Sequence, residues 1–225
     1  MKRAKYIPEI ESRLRGRMVK VPESIYQCSG INILGKRIKS LLFSTDVSII
    51  SNCNANSVIA VYPFTPQLSI TNAILEVASV PVFAGVGGGQ TTGMRSVMLA
   101  LQSELLGAYG VVVNAPMPND NIRSIAEAID IPIIASVGAF HDDFAGKIEA
   151  GTRIFNVTGG PKTAELVRHI RKIVGDDFPL IATGGDNDEH ILRTIEAGAN
   201  AITYTPPSSA DIFKDVMVEY RKKKD

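Results

Sequence analysis

The sequence has few of the features that mark secreted or membrane proteins. Two cysteines, Cys28 and Cys53, in 225 residues are too few for a disulfide framework, so both are expected to be reduced thiols. No apolar run reaches the roughly 18 residues that a membrane span needs. The basic start, Met1–Tyr6, lacks the apolar core and cleavage site of a secretory signal. We therefore expect a cytoplasmic protein with no membrane partner.

Signals for nucleic-acid binding or a protein metal site are also scarce. The net charge is +1, with basic residues concentrated in residues 1–20 and 221–225. Such a distribution suits solvated termini as well as nucleic-acid contact, and no zinc-ligand spacing, stacking motif or recognition helix accompanies it. Nucleic-acid binding is not expected. No metal site is predicted, although a Mg²⁺ ion held partly by a substrate phosphate stays open.

What the sequence does contain is a repeat. Pro81, Pro132 and Pro179 each open a short apolar run that ends in alanine, and they are 51 and 47 residues apart. A fixed period is the mark of a repeated architecture. This period is too long for one strand–helix unit and fits two such units.

Eight short apolar runs can be counted along the chain. Between most of them lie residues with helical spacing, such as Ile122, Ile125 and Ile129. Continuous apolar strands are buried on both faces and belong to parallel sheets, so the pattern predicts an α/β protein, a (β/α)8 TIM barrel. The predicted strands are Leu41–Ser44, Ser57–Tyr62, Pro81–Ala84, Gly110–Asn114, Pro132–Ala135, Ile154–Asn156, Pro179–Ala182 and Ala201–Tyr204.

A chain of this length is expected to form one domain, residues 1–225, with an extension at 1–38 and the barrel at 39–225. Within the extension we predict a short helix over Tyr6–Leu14. A hairpin is predicted over Ile31–Ile38, with Gly35-Lys36 as its turn. This extension is expected to close the bottom of the barrel.

Active sites of such barrels lie at the carboxyl ends of the strands, and here those ends are followed by small, glycine-rich loops. Glycine leaves backbone N–H groups accessible, and a helix that begins directly afterwards adds its positive end. These loops are predicted anion cradles, although tight turns need glycine as well. The candidate substrate- or phosphate-binding residues are Gly87, Gly88, Gly89, Thr91, Thr92, Thr158, Gly159, Gly160, Thr183, Gly184, Gly185 and Thr205.

Four further residues are the candidates for catalysis. Asp46 follows the first barrel strand, where it could act as a general base or as a helix cap. His141 lies in a loop on the same rim. Because histidine as a residue type titrates near neutrality, His141 is the candidate proton shuttle, with an exposed loop residue as the alternative. Asn114 and Asn156 end the fourth and sixth strands and are predicted to point inward, to bind a substrate carbonyl or hydroxyl or to satisfy the core.

The stretch Ile154–Tyr204 resembles the phosphate-binding (β/α)8 superfamily, which includes ketoacid-phosphate aldolases, sugar-phosphate epimerases and several flavin mononucleotide enzymes. The matching residues are Ala182-Thr183-Gly184-Gly185 and Ile191–Ile202. The resemblance implies that Gly184 and Gly185 donate backbone N–H groups to phosphate. The chain departs from the family where Thr205-Pro206-Pro207 replaces a second glycine turn. It also has no strand-end lysine for Schiff-base chemistry.

These observations predict an enzyme that acts on a small phosphorylated or anionic metabolite by acid–base chemistry, as a lyase, isomerase or hydrolase. A non-catalytic barrel that senses such a metabolite is the alternative. An FMN-binding barrel is a third possibility, which the colour of the purified protein would test. The sequence leaves open whether the chain forms a homo-oligomer.

Overall fold

A computed structural model of the chain describes residues 8, 10, 12–14, 16–185 and 187–222. Two short antiparallel strands, β1 (Ile31–Ile33) and β2 (Lys36–Ile38), precede eight parallel strands that close into a barrel. The strands of the barrel follow chain order, and the last one pairs with the first. The predicted (β/α)8 barrel is confirmed. Its strands are β3 (Ser40–Phe43), β4 (Ser57–Ala60), β5 (Val82–Gly87), β6 (Gly110–Val113), β7 (Ile133–Val137), β8 (Thr152–Val157), β9 (Leu180–Thr183) and β10 (Ala201–Tyr204).

A helix follows each barrel strand. The helices are α1 (Val47–Ser51), α2 (Leu68–Val77), α3 (Met94–Leu105), α4 (Asn119–Ala128), α5 (Phe144–Glu149), α6 (Thr163–Val174), α7 (Asp188–Glu196) and α8 (Ser209–Lys222). Two short 3-10 helices, Glu23–Gln27 and Gly160–Lys162, complete the secondary structure of the described residues. Of the helices in the described part of the chain, none is both long and apolar enough to pass through a bilayer.

Alternate residues of each strand face opposite layers, as the pleat requires. Leu41, Phe83 and Ile154, with their equivalents on the other strands, form one apolar cluster inside the barrel. Their chain neighbours Leu42 and Phe155 belong to the layer between strands and helices. The inward residues nearest the carboxyl ends therefore form the floor of the barrel mouth.

The hairpin of β1 and β2 closes the opposite end of the barrel, as predicted. Ile31, Ile33 and Ile38 join the interior cluster. The predicted turn was wrong by one residue, because Lys36 already pairs with Ile33. The turn is Leu34-Gly35, with φ of 46° and 80°, the positive values that a tight hairpin of type I′ needs at both positions.

The rest of the extension does more than close the bottom. The predicted helix at Tyr6–Leu14 lies mostly outside the described residues, and residues 12–14, which are described, are not helical. Ile25, in the 3-10 helix Glu23–Gln27, is fully buried in the layer that covers the outside of the strands. Helix α8 covers the strands less than the extension does, because none of its 14 described residues is buried. The extension thus supplies part of the outer covering of the barrel.

Candidate functional site

The predicted site residues are distributed over three cavities at the carboxyl ends of the strands. The largest, about 550 Å³, lies between the loops after β3, β4 and β10. Asp46, Asn114 and Thr205 all line it, together with Tyr62 and Ser208. The structure therefore brings two of the predicted catalytic residues and one predicted binding residue to one cavity.

A second cavity, of about 220 Å³, shares Asn114 with the first. Its lining includes Gly87, Gly88 and Thr91 from the glycine-rich loop after β5. A Cβ on Gly88 would lie 2.6 Å from the Cβ of Asn114, and one on Gly87 would lie 2.4 Å from the Thr91 carbonyl oxygen. Gly88 therefore lets the loop pack closely on Asn114, and Gly87 lets the loop fold back on Thr91. Gly89 and Thr92 lie in the same loop but outside the lining of this cavity.

The Asp46 side chain is the N-cap of α1. Its carboxylate accepts hydrogen bonds from the backbone N–H groups of Ser48, at 2.9 Å, and Ile49, at 3.3 Å. It also accepts from the hydroxyls of Ser209 and Ser48. These bonds, that from Ser209 above all, lower the pKa of Asp46. Of the two roles open from the sequence, the helix cap is the one that the contacts show, and a carboxylate held in this way is a weak base.

His141 does not join Asp46. It is exposed in the turn after β7, and the described linings of the three cavities do not include it. The structure therefore brings together Asp46 and Asn114 but not the expected pair of an acid and an imidazole.

Asn156 lies on the inward face of β8, on the floor of the mouth, and is 7% exposed. Its Nδ2 donates to Ser136 Oγ at 3.4 Å, whereas its Oδ1 has no hydrogen-bond partner among the described residues. Thr203, on the inward face of β10, is 5% exposed, and its hydroxyl is likewise without a partner there. Sequence reasoning missed Thr203, although strand alternation from Ala201 would have placed it inside the barrel.

The third cavity, about 70 Å³, lies between the loops after β8 and β9. We call it the cradle. From the predicted set it brings together Gly160, Thr183, Gly184 and Gly185. Thr158 and Gly159 lie in the same loop without lining it, and Thr158 instead donates to the carbonyl of Val137.

Helices also contribute to the cradle. Thr163, the first residue of α6, lines it, as do His190 and Arg193 from α7. The guanidinium of Arg193 is exposed and forms no ion pair within the described part of the chain. Sequence reasoning identified neither Arg193 nor His190 as a site residue. Their orientation depends on how α7 packs beside α6, which helical spacing alone does not give.

Gly184 and Gly185 differ in what they can offer a ligand. The N–H of Gly184 already donates to the Thr203 carbonyl, at 3.4 Å, and a Cβ there would lie 2.6 Å from Ile202 Cγ2. Gly184 is thus required for packing against the core. Gly185 is exposed and has φ of 86°, so its backbone is the more accessible of the two.

The described residues do not form a protein site for a metal ion. No group of three His, Cys, Asp or Glu side chains among them is arranged to hold one. Two more rim carboxylates serve local structure: Asp142 accepts from the N–H groups of Gly138 and Ala139, and Asp143 caps α5. Protein-bound Mg²⁺ prefers near-octahedral oxygen ligands, usually with one or two carboxylates, and this donor set does not fit it.

No protein-family model matches the chain, and no curated protein matches it in sequence. Its similarity is to solved structures of barrel enzymes. Phosphonopyruvate hydrolase has a TM-score of 0.65 at 13% identity, over 86% of this chain and 85% of that one. It has also been solved with oxalate and Mg²⁺. A 2,3-dimethylmalate lyase, described as a member of the PEP mutase/isocitrate lyase superfamily, has a TM-score of 0.60 at 14% identity, over 89% and 84%.

A different chemistry occurs among these structures as well. The 4-hydroxy-tetrahydrodipicolinate synthase of Methylacidiphilum fumariolicum SolV has a TM-score of 0.58 at 14% identity, over 74% of this chain and 67% of that one. At these identities the similarity shows the fold alone, and one fold supports many reactions. This chain therefore has the (β/α)8 barrel fold that these enzymes share.

Proposed function

We propose that the chain binds a small phosphorylated metabolite at the mouth of the barrel, with the phosphate in the cradle. The observation that carries this proposal is the convergence of Gly160, Gly185, Arg193 and the start of α6 on one small cavity. A helix start and accessible glycine backbone favour an anion. An arginine fork can hold phosphate through two hydrogen bonds.

The remainder of the metabolite would lie toward the barrel axis. Thr183 lines the cradle and, two residues after the inward Ile181, is on the inward face of β9. Asn114 lies between the two larger cavities of the mouth. Its amide would bind a carbonyl or hydroxyl of the ligand.

We further propose that the barrel is an enzyme that acts on this ligand by acid–base chemistry, of the lyase, isomerase or hydrolase type. The similar structures named as a hydrolase of phosphonopyruvate and a lyase of dimethylmalate support a small organic anion as the substrate. Asp46 lines the cavity of about 550 Å³ and would be the general base, although the hydrogen bonds that lower its pKa also reduce its basicity. His141 would complete the chemistry only if its loop turned toward the mouth.

The second candidate is a non-catalytic barrel that senses the same metabolite. Two observations favour it: the Asp46 carboxylate is occupied as a cap, and His141 is exposed. Both candidate functions require the protein to bind the metabolite, but only the enzyme would convert it to a product. Binding of FMN stays a prediction, and a yellow purified protein would support it.

The binding proposal is tested by thermal unfolding of the protein in inorganic phosphate and in chloride at equal ionic strength. We expect phosphate to raise the Tm of the wild type and to have little effect on Arg193→Ala. Arg168→Ala is the matched control, because Arg168 is an exposed arginine of the adjacent helix α6 that does not line the cradle. An equal response of all three proteins to phosphate would place the anion elsewhere.

A further inference from the structure

We infer that the part of the ligand distant from its phosphate carries a hydroxyl group, and that Asn156 and Thr203 bind this group inside the barrel. The inference rests on the proposed function and narrows its class of ligand. It assigns a binding role to two residues on the floor of the mouth, one of which sequence reasoning did not identify.

The first observation is that both residues carry buried polar atoms without partners. Asn156 is 7% exposed and Thr203 is 5% exposed. Asn156 Oδ1 and Thr203 Oγ1 accept or donate no hydrogen bond to any described residue. Most buried polar side chains have a partner, and an unpartnered one costs stability. Valine or leucine could fill these two positions and would leave no polar atom without a partner. A ligand group that forms hydrogen bonds with Asn156 and Thr203 explains why both positions are polar.

The second observation is where these atoms lie relative to the cradle. Strand β9 lies between β8 and β10 in the barrel, so Asn156 and Thr203 flank it on either side. Thr183 of β9 pairs in register with Thr203 and also lines the cradle. Neither residue belongs to the lining of the cradle, so a ligand anchored at the end of β9 would meet both side chains where it extends beyond the cradle toward the barrel axis.

Among the described residues, a third buried polar atom without a partner lies in a different part of the barrel, so the position of Asn156 and Thr203 is specific to the mouth. Thr152 Oγ1 is also buried without a partner. However, Thr152 is the first residue of β8, at the opposite end of the strand from the mouth. Only Asn156 and Thr203 combine an unpartnered polar atom with a place on the floor of the mouth.

The chemistry of the two residues selects the group they can bind. Asn156 Oδ1 is an amide oxygen, which only accepts hydrogen bonds, and the Nδ2 of the same side chain already donates to Ser136. The Thr203 hydroxyl can both donate and accept. The neighbouring inward residues, Ser136 and Thr183, are neutral as well. A carboxylate or ammonium group here would lose its hydration without a charged partner. A hydroxyl is neutral and can donate to Asn156 and accept from Thr203.

The test compares three probes by calorimetric titration: inorganic phosphate, glycerol 3-phosphate, and propyl phosphate, which has the same carbon chain without hydroxyls. We expect the wild type to bind glycerol 3-phosphate about tenfold more tightly than propyl phosphate, as one added hydrogen bond allows. Thr203→Val removes the hydroxyl at nearly constant volume and should abolish this preference, with phosphate binding unchanged. Thr203→Ser keeps the hydroxyl and should retain the preference.

Urea unfolding without ligand gives a second readout. Thr203→Val should be at least as stable as the wild type, because an unpartnered hydroxyl is replaced by a methyl group. If the wild type binds phosphate but does not distinguish the two esters, or if Thr203→Val keeps the preference, the inference is overturned and the proposed cradle stands. If inorganic phosphate itself does not bind, the proposed function fails, and this inference fails with it.

Discussion

Ser209, the first residue of α8, donates a hydrogen bond to the carboxylate of Asp46, the N-cap of α1. The contact joins the two ends of the barrel sequence at the point where β10 pairs with β3. Because none of the described residues of α8 is buried, polar contacts of this kind help to hold the helix in place. The ion pair between Arg17 and Glu219, at 3.0 Å, is another. Asp46 therefore has a structural role, whether or not it has a catalytic one.

Replacement of Asp46 separates these two roles. Asp46→Ala should lower the free energy of unfolding in urea by about 1 kcal/mol, the usual effect of losing an N-cap. If Asp46 is also a general base, Asp46→Asn should reduce turnover of a substrate by roughly two to four orders of magnitude and leave its affinity unchanged. Full turnover by Asp46→Asn would show that Asp46 is only a cap.

The pH dependence of stability should also identify Asp46. Hydrogen bonds from Ser209 and Ser48 lower its pKa in the folded state, below the value of about 3.9 in an unfolded chain. The stabilisation is present above that unfolded value and is lost as the pH falls through the lowered pKa. Urea unfolding of the wild type should therefore weaken more between pH 5 and pH 2 than that of Asp46→Asn. Asp143 and Asp211, whose pKa values are also lowered, are present in both proteins, so parallel curves would contradict this account.

Arg171 should contribute to stability through its contacts at the end of α6. Its guanidinium donates to Asn200 Oδ1 at 2.6 Å, to the Gly198 carbonyl at 2.7 Å and to the Phe178 carbonyl at 2.7 Å. Arg171→Met would remove the guanidinium donor from the two carbonyls and leave Asn200 Oδ1 with the N–H of Leu180 alone. It should lower the free energy of unfolding by about 1–3 kcal/mol. Arg171→Lys should recover only part of the loss, since an ammonium group lacks the planar fork. The exposed Arg168→Ala is the control and should change stability little.

The two thiols should differ in reactivity. Cys28 is 1% exposed, and its burial raises its pKa to about 12. Since the thiolate is the nucleophile, Cys28 should react with a thiol reagent at pH 8 only after the protein unfolds. Cys53 is half-buried and should react sooner. Mass spectrometry after brief labelling would identify the modified residue, and prompt labelling of Cys28 in the native protein would contradict the packing described here.

The barrel could be predicted from the sequence because its strands are short, continuous apolar runs, a local property. The contacts that decide the site could not. The position of Arg193 at the cradle depends on how two helices pack, and the burial of Ile25 depends on an extension crossing the outside of the strands. The sequence was compatible with Asp46 as a helix cap and as a general base, because both roles need a carboxylate after a strand. Only the placement of Ser48, Ile49 and Ser209 around it shows the cap.

Phosphate binding by the cradle between β8 and β9 can be followed residue by residue. The most direct measurement is the backbone amide NMR spectrum of isotope-labelled protein during a titration with inorganic phosphate. We predict saturable shifts concentrated at Gly160, Thr163 and Gly185, and their loss in Arg193→Ala. No saturable shift, or shifts concentrated instead in the loop from Thr205 to Ser208 after β10, would contradict the account.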